Sequence, residues 1–299
     1  MEKEEVEKIK LAGKIAQEIR KFARELIKPG MKLIDIAWKV DDKIAELGAK
    51  PAFPLNLSID NVAAHFTPGY DDENIAKGLI KADIGIQIDG YVADTAFSID
   101  LEDSDENKKL IEAAEAGLKK ALDVIDLGVK LGDIGKAVQR EINEMGFVPI
   151  KNLMGHQIKR YDLHAGFNIP NYDSGQDAKV GEGLYAIEPF ATNGFGAAED
   201  GRPSGIYKIM REGNVRDSFA REVLAFILEE YKTLPFASRW IWKKFGGRGL
   251  LALRQIEQAG ILYQYPQLME RGKGKVAQAE HSVLVTKEGK IVTTRSEAS

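Results

Sequence analysis

Residues 30–48 read GMKLIDIAWKVDDKIAELG, and residues 128–146 read GVKLGDIGKAVQREINEMG. The two stretches are identical at nine of nineteen positions when they are aligned at a constant offset of 98 residues. Two amphipathic helices share apolar positions through periodicity alone. Periodicity does not explain why both stretches also begin and end on glycine in the same register. The repeat therefore predicts that the chain contains two similar halves.

The regions around the repeat predict a mixed α+β protein. Each copy is followed by strand and loop sequence that carries Asn-Leu and a histidine, first NLSIDNVAAHFTP (56–68) and then NLMGHQIKRYDLHAG (152–166). An amphipathic helix before Pro29-Gly30 opens the chain. Helical periodicity predicts further helices at 34–47, 106–125 and 132–145, and apolar runs predict strands at 82–99, 183–190, 276–286 and 290–294. Residues 217–269 have a different, helix-rich pattern and predict an insertion between two strands.

Composition and charge exclude several classes of protein. The net charge is −4 and the pI about 5.8, so the whole chain gives no electrostatic reason to expect nucleic-acid binding. Cysteine is absent, which excludes disulfides, thiolate metal sites and a cysteine nucleophile. The N-terminus has charges throughout and no apolar core of a signal peptide, and no apolar run is long enough for a membrane span. These features predict a cytoplasmic protein.

The stretch KADIGIQIDGYVADTAFSI (81–99) predicts a β-hairpin with a turn at Asp89-Gly90. A two-residue turn places Gly85 opposite Asp94, and Asp83 then points to the same face as Asp94. Two aspartates on one strand face repel each other unless a cation lies between them, and aspartate is rare in strands. The alternative is that both aspartates lie on a solvent-exposed face of the sheet. We favour a metal site.

Three more residues can complete a metal site, although each is ambiguous alone. His156 follows an apolar segment, and a lone histidine is more often structural. Glu188 stands at the end of an apolar run before Pro189, which cannot continue a central ladder. Glu280 interrupts a strand, where an acid is costly unless it is paired or faces solvent. Four carboxylates and one imidazole can hold two divalent cations, which predicts a hydrolase.

The order and context of these residues resemble the methionine aminopeptidases. The motifs that carry the resemblance are AAHFTP (63–68), NLMGHQIKRYDLHAG (152–166), AIEPFAT (186–192) and Glu280-His281, and they are similar to the type 2 enzymes. No long charged extension precedes the catalytic part, which resembles the archaeal form more than the eukaryotic one. The resemblance covers almost the whole chain. It implies the pita-bread fold, in which pseudo-twofold duplicated αβ halves surround a curved antiparallel sheet, with a helical insertion. It also implies one catalytic domain, 1–299, with a winged-helix-like insertion at 217–269.

The resemblance implies a role for each site residue. Two divalent ions (Co, Mn, Fe or Zn) would be bound by Asp83, Asp94, His156, Glu188 and Glu280. His65, His164 and Glu188 would be catalytic, His65 and His164 would contact substrate, and Phe53 and Leu163 would shape the methionine pocket. The implied activity is removal of the initiator methionine from nascent proteins and peptides, with a small second residue preferred. The implied protein is a monomer whose partners are polypeptide N-termini.

Several features depart from the family or leave alternatives open. Gln87 and Ala279 stand where the family has a histidine and an aromatic, and we expect Ala279 to enlarge the pocket. An Xaa-Pro peptidase shares fold and ligands but carries an additional N-terminal domain, and a metal-free homologue could bind RNA or other partners.

The insertion carries basic residues among tryptophans: Arg239, Lys243, Lys244, Arg248 and Arg254. We favour a solvated helix with aromatic packing over a ribosome contact, and we expect neither specific nucleic acid nor membrane as a partner.

Overall fold

The computed structural model describes residues 1–295. Its helices are α1 (Lys3–Leu26), α2 (Leu33–Glu46), α3 (Asp105–Val124), α4 (Leu131–Glu144), α5 (Ser218–Glu230) and α6 (Ser238–Gln258). Its strands are β1 (Lys50–Ile59), β2 (Val62–Ala64), β3 (Leu79–Ile88), β4 (Tyr91–Asp100), β5 (Val148–Pro149), β6 (Gly155–Ile158), β7 (Asn168–Ile169), β8 (Gly183–Ile187), β9 (Phe190–Thr192), β10 (Ala198–Ile209), β11 (Phe236–Ala237), β12 (Leu262–Glu270), β13 (Val276–Gln278), β14 (His281–Thr286) and β15 (Gly289–Val292).

The repeat is visible as two helix pairs with matching backbone connections. Helices α2 and α4 begin and end at positions 98 residues apart, and each follows a glycine with a φ of 82°, Gly30 and Gly128. The N–H of Gly30 donates to the carbonyl of Ala76, and that of Gly128 donates to the carbonyl of Val180, both at 2.8 Å. The left-handed backbone explains why both copies begin on glycine. The sequence repeat is thus a repeat in the structure.

The first half packs α1 and α2 against a three-stranded antiparallel sheet with the order β1-β3-β4. Helix α1 buries a stripe that includes Ile9, Ala12, Ala16, Ile19 and Ala23, spaced at three or four residues as one helix face requires. The hairpin β3–β4 has the predicted register, with Ile88 opposite Tyr91 and Gly85 opposite Asp94. The prediction of this hairpin is therefore confirmed.

The second half packs α3 and α4 against a five-stranded sheet with the order β15-β14-β8-β6-β7. The two halves meet where β4 runs beside β13 and β14. Ser282 accepts from the backbone N–H of Asp94 through its hydroxyl oxygen, and the same hydroxyl donates to the Asp94 carbonyl. Thr95 donates its hydroxyl to the carbonyl of Glu280. Short hydroxyl side chains therefore hold the two halves close together along this line.

The insertion contains more strand than its sequence pattern suggests. Helices α5 and α6 enclose a hydrophobic cluster of their own with Tyr207 and Phe236. The last part of the predicted helical stretch is instead β12, which pairs with β10 and, through Leu268, with Ala64 of β2. Helix α6 also bends at Gly246, whose φ is 63°. That residues 217–269 form a separate subdomain remains a prediction.

None of the helices in residues 1–295 is long and apolar enough to cross a membrane.

Candidate metal centre

The first half supplies two carboxylates from one face of its hairpin. Asp83 lies in β3, where it pairs with Ala96 and with Asn56 of β1, and Asp94 lies opposite Gly85 in β4. Strand alternation places both aspartate side chains on the same face. Both line one cavity of about 240 Å³. The hairpin therefore places Asp83 and Asp94 at the same cavity, as its sequence predicts.

The second half supplies two glutamates from the ends of two paired strands. Glu188 follows β8 directly, and Glu280 comes directly before β14, which is the antiparallel partner of β8. The backbone N–H of Glu280 donates to the carbonyl of Ala96, which anchors this glutamate beside β4. Both glutamates line the same cavity as the two aspartates. Each half therefore contributes one pair of carboxylates.

His156 brings an imidazole into the same group. It lies in β6, where it pairs with Ala186 of β8. Its Nε2 is 3.4 Å from Glu188 Oε1 and 3.7 Å from Asp94 Oδ2. Potential ligand atoms of Asp94, His156 and Glu280 lie within 4.8 Å of one another. A divalent cation requires this close grouping of an imidazole nitrogen and carboxylate oxygens.

The acids are held in an environment that disfavours their negative charge. Burial raises the pKa of Asp83 to about 7. Burial and the neighbouring carboxylates raise the pKa of Asp94, Glu188 and Glu280 well above the ordinary value. Burial lowers the pKa of His156 to about 3, so this ring is neutral and its contacts with the acids are not ion pairs. The acids therefore keep their protons to a higher pH than usual unless a nearby positive charge favours their ionised forms.

These residues fit a metal site by their donor chemistry and by their unpaired atoms. Within the described residues, Oδ1 of Asp83, Oδ1 of Asp94 and Oε2 of Glu280 are buried without a hydrogen-bond partner. A buried carboxylate oxygen without a partner is costly. Oxygen and imidazole ligands suit manganese, iron, cobalt and zinc. A cation among them would both pair the orphaned oxygens and relieve the repulsion.

The two predicted substrate histidines lie beside this group. The ring of His164 is 4.5 Å from that of His156, centroid to centroid, and the ring of His65 is 5.3 Å from that of Tyr265. Burial lowers the pKa of both His65 and His164 to about 4, so both are neutral near pH 7. A neutral imidazole has one donor and one acceptor nitrogen. Both rings line the cavity and can therefore contact a bound molecule by hydrogen bonds.

The two predicted pocket residues also line the cavity and are largely buried. Phe53 lies opposite Gly85 in the β1–β3 ladder. A Cβ atom added at Gly85 would overlap the ring of Phe53. Glycine at this position therefore lets the ring lie against the hairpin between the two aspartates. Phe53 and Leu163 belong to one hydrophobic cluster and give the cavity an apolar wall.

Several lining residues were not predicted from the sequence. Asn56 stands opposite Asp83 in the first half, and an asparagine in a strand is a signal that could have revealed it. The insertion and the strands next to it supply another part of the wall, which includes Ile206, Pro235 and Tyr265. No local signal marks these three residues, because they reach the cavity through the pairing of β10 with β11 and β12 and of β12 with β2.

Two departures from the family pattern have structural explanations. Gln87 accepts a hydrogen bond at 2.8 Å from the backbone N–H of Gly90 and so supports the hairpin turn. Ala279 is buried in the hydrophobic core of the second half, beside residues such as Ala277 and Val283. The expectation that Ala279 enlarges the pocket is wrong, because its side chain packs within this core and the cavity wall is built from other residues.

The basic cluster of the insertion is not a uniform exposed surface. Arg239 is completely buried. Lys243 lies over the ring of Trp38 at 4.9 Å, and Arg248 lies over the ring of Phe219 at 4.1 Å. These contacts agree with aromatic packing on α6, the interpretation that the sequence favoured. A ribosome contact is not tested by them.

Comparison with known proteins shows the family of the chain. The chain matches the family model of metallopeptidase family M24 over residues 7–287. It is 47% identical to a methionine aminopeptidase of Pyrococcus abyssi, over 97% of this chain and 99% of that protein. It is 44% identical to a methionine aminopeptidase of Methanocaldococcus jannaschii, over 99% of this chain and 100% of that protein.

Solved structures with low sequence identity share the fold. A methionine aminopeptidase of Thermotoga maritima has a TM-score of 0.71 at 21% identity, with 99% of this chain and 98% of that chain covered. A thermophilic Arx1 has a TM-score of 0.83 at 16% identity, with 98% and 91% covered. A prolidase of Pyrococcus furiosus has a TM-score of 0.63 at 18% identity, with 99% of this chain but only 65% of the prolidase covered.

These structures confirm the predicted pita-bread fold, with mixed helices and curved antiparallel sheet. The family match spans both halves of the repeat, all five candidate ligands and the insertion. The site contains the oxygen and imidazole donors that a metal-dependent peptidase requires. On this combined basis, the chain belongs to metallopeptidase family M24.

Proposed function

We propose that this chain is a methionine aminopeptidase, a metal-dependent hydrolase that removes the N-terminal methionine from proteins and peptides. The observation that carries the proposal is the convergence of two carboxylate pairs and His156, one pair from each half, on a single cavity. Relatives that are 44–47% identical over almost their whole length carry the name of this activity.

We further propose that the site holds two divalent cations bound by Asp83, Asp94, His156, Glu188 and Glu280. Asp94 and Glu280 lie at the junction of the halves, where both would contribute carboxylate ligands. Cobalt, manganese, iron and zinc are all compatible with oxygen and imidazole ligands. When bound, such ions polarise a peptide carbonyl and lower the pKa of water, which supplies the nucleophile and the Lewis acid of the hydrolysis.

The protein's own residues supply proton transfer and orientation. Glu188 lines the cavity 3.4 Å from Nε2 of His156, and its carboxylate would accept a proton and pass it to the leaving amine. His164 is neutral and can donate an N–H to the carbonyl oxygen of the scissile bond, where negative charge develops. His65, on the wall shared with Tyr265, contacts the substrate near the reacting centre.

The shape and charge of the cavity suit a methionine side chain with a free amine. Phe53 and Leu163 provide an apolar wall for a thioether chain. The free α-amine of a peptide N-terminus is a nitrogen donor that the cations would hold when they are bound. Such binding would restrict cleavage to the first peptide bond. A preference for a small second residue is part of the same proposal.

The rival activity is that of an Xaa-Pro peptidase of the same fold. The relatives that are 47% and 44% identical to this chain over almost its whole length are methionine aminopeptidases, and this favours the methionine enzyme. A metal-free binding homologue is less favoured, because the five candidate ligands are all present and share one cavity.

The remaining assignments follow from the same proposal. We propose one catalytic domain over residues 1–299, of which 296–299 lie outside the described residues, with the insertion at 217–269 as a winged-helix-like subdomain. We propose a cytoplasmic monomer that acts on nascent polypeptide N-termini. A contact with the ribosome would use the exposed cations of α6, and Arg239 cannot take part because it is buried.

The proposal is tested by measuring methionine release from the peptide Met-Ala-Ser. The protein is stripped of metal and then reloaded with Co²⁺ or Mn²⁺, and the dipeptide Ala-Pro serves as the control substrate. We expect metal-dependent release from Met-Ala-Ser alone. Cleavage of Ala-Pro alone would show that the chain is a proline peptidase. If neither substrate is cleaved although metal is bound, the result would favour a binding protein.

A further inference from the structure

Backbone and side-chain contacts together hold the segment that carries His65. The N–H of Leu57 in β1 donates to the carbonyl of Phe66 at 2.7 Å. His65–Gly69 follow β2 and lie outside any helix or strand. His65 itself has a φ of 63°, a left-handed conformation that is strained for a residue with a side chain. Strained backbone persists only where its surroundings hold it in place. The neighbouring contacts therefore decide where the His65 ring lies.

Thr67 provides one such contact from within the segment. Its hydroxyl donates to the carbonyl of Leu55 in β1 at 2.7 Å and accepts a hydrogen bond from Nη1 of Arg239 at 2.5 Å. The same guanidinium nitrogen lies 3.5 Å from the carbonyl oxygen of Pro68. The segment is thus fastened on one side to the first half and on the other side to the insertion.

Arg239 is itself held through both of its terminal nitrogens, whereas its Nε is buried without a hydrogen-bond partner within the described residues. It lies in the first turn of α6 with no exposed surface. Its Nη2 is 3.1 Å from Oδ2 of Asp41 in α2, and that oxygen also accepts from Nε1 of Trp240 at 2.7 Å. The ring centroids of Trp38 and Trp240 lie 5.6 and 5.3 Å from the guanidinium carbon. A buried charge needs such partners, and they leave Arg239 a single position.

We propose that Arg239, fixed by Asp41, is a positioning residue for the reaction: through Thr67 it holds the strained segment that places His65 at the cavity. The proposal rests on the proposed function, in which His65 contacts the substrate. It also gives the insertion a role in the chemistry, because α6 lies outside the two repeated halves and its arginine reaches the segment that leads to His65.

A purely structural role for Arg239 is the competing explanation. In that case the ion pair with Asp41 would only join α6 to α2, and the bond to Thr67 would be incidental. Substitutions at Thr67 separate the two explanations, since they leave the Arg239–Asp41 ion pair intact. Thr67→Val has a similar shape without the hydroxyl, and Thr67→Ser retains the hydroxyl without the methyl group.

The experiment measures kcat and KM for Met-Ala-Ser and the ring signals of His65 in a histidine ¹H–¹³C spectrum. The chain has four histidines, so a His65→Asn variant assigns the signal. We expect Thr67→Val to lower kcat roughly tenfold or more, with a smaller change in KM, because a displaced catalytic contact affects the transition state most. We expect the His65 signal to shift, and Thr67→Ser to retain both properties.

Variants of the ion pair extend the test. Asp41→Asn should lower kcat and shift the same signal, because it loosens Arg239. Asp42→Asn is the matched control, since the neighbouring Asp42 only pairs with Lys243 at 3.8 Å on the surface. It should change neither property. If Asp41→Asn fails to fold, the two Thr67 variants still decide the question.

Two outcomes would overturn the proposal. If Thr67→Val leaves kcat and the His65 signal unchanged, Arg239 has only a structural role. If Thr67→Val lowers kcat without a shift of the His65 signal, the effect does not pass through His65. A wild-type protein that releases no methionine would overturn the proposed function, and this result is independent of the ring signal.

Discussion

The two halves of the molecule pair their central strands in the same way but connect them differently. In the first half, β3 and β4 are joined by the two-residue turn Asp89-Gly90. In the second half, the equivalent pair β8 and β14 is joined by the whole stretch 188–280, which contains the insertion. The short turn fixes its strand register by itself. The long connection cannot do so. Hydrogen bonds to β4 instead fix β14 relative to the first half.

This difference explains how a symmetric frame acquires an asymmetric site. Both halves contribute two carboxylates, Asp83 with Asp94 and Glu188 with Glu280. The long connection of the second half adds Tyr265 and other residues as a further wall of the cavity. The repeated halves therefore supply the candidate metal ligands, whereas the unique insertion encloses the substrate side.

The largest effect is expected when either half loses a ligand. Asp94→Asn in the first half and Glu280→Gln in the second should each reduce methionine release by roughly 100-fold or more, since even loss of a residue that only supports a ligand costs 10–100-fold. The measurement is kcat/KM with Met-Ala-Ser at saturating Mn²⁺. Full activity of either variant would contradict the assignment of one pair of carboxylate metal ligands to each half.

The junction of the halves should make the metal-free protein sensitive to pH. Asp83 has a folded pKa of about 7 against an ordinary value of 3.8. Its stabilising contribution is complete below the ordinary value and is lost as the pH rises through about 7. We therefore expect the free energy of unfolding of the stripped protein to fall between these two pH values, as measured by urea unfolding.

Metal should reverse this trend, because cations bind the deprotonated acids and stabilise the folded state by mass action. With Mn²⁺ present, the free energy of unfolding should rise over the same range of pH. A stripped protein whose stability does not change between the two pH values would argue against closely packed acids at the junction.

A smaller effect is expected where the first half shapes the pocket. Gly85→Ala should displace the ring of Phe53 and raise KM for Met-Ala-Ser roughly tenfold. Gly183→Ala in β8 is the matched control in the second half, because its new methyl group would meet the flexible end of Gln157 at 3.0 Å and touch the ring of Tyr185 at an ordinary contact distance of 3.5 Å. A similar KM for both variants would show that Phe53 does not set the pocket.

The smallest effect concerns the repeat itself. Gly30 and Gly128 both have a φ of 82°, with no atom within 4 Å of an added Cβ. Replacement of either residue by alanine should therefore cost the same, about 1–2 kcal/mol of unfolding free energy, from backbone strain alone. Gly247→Ala is the control, since its site is open and its backbone is not left-handed. Clearly unequal costs would weaken the equivalence of the halves.

The sequence predicts the symmetric part of the molecule well, because that part depends on local signals. Helical periodicity, paired glycines and the Asp89-Gly90 turn predict the helices and the hairpin register, and the structure confirms them. The candidate ligands also stand at strand ends or in the hairpin, where polar residues interrupt apolar patterns.

The asymmetric part could not be predicted, because it depends on contacts between distant segments. Strand β12 was expected to be part of a helical insertion, and its pairing with β2 brings Tyr265 beside His65. Arg239 was grouped with exposed cations, although its partner Asp41 lies on α2, far away in the chain. Neither relationship leaves a periodic pattern in the sequence.

The central claim, that the two halves meet at a site for two cations, is tested most directly by counting bound metal. Stripped protein is dialysed to equilibrium against Mn²⁺, and bound manganese per chain is measured by mass spectrometry for wild type and for Asp94→Asn. The account predicts two cations per chain in the wild type and fewer in the variant. A wild-type protein that binds no manganese, or an Asp94→Asn variant that binds as much as the wild type, would contradict it.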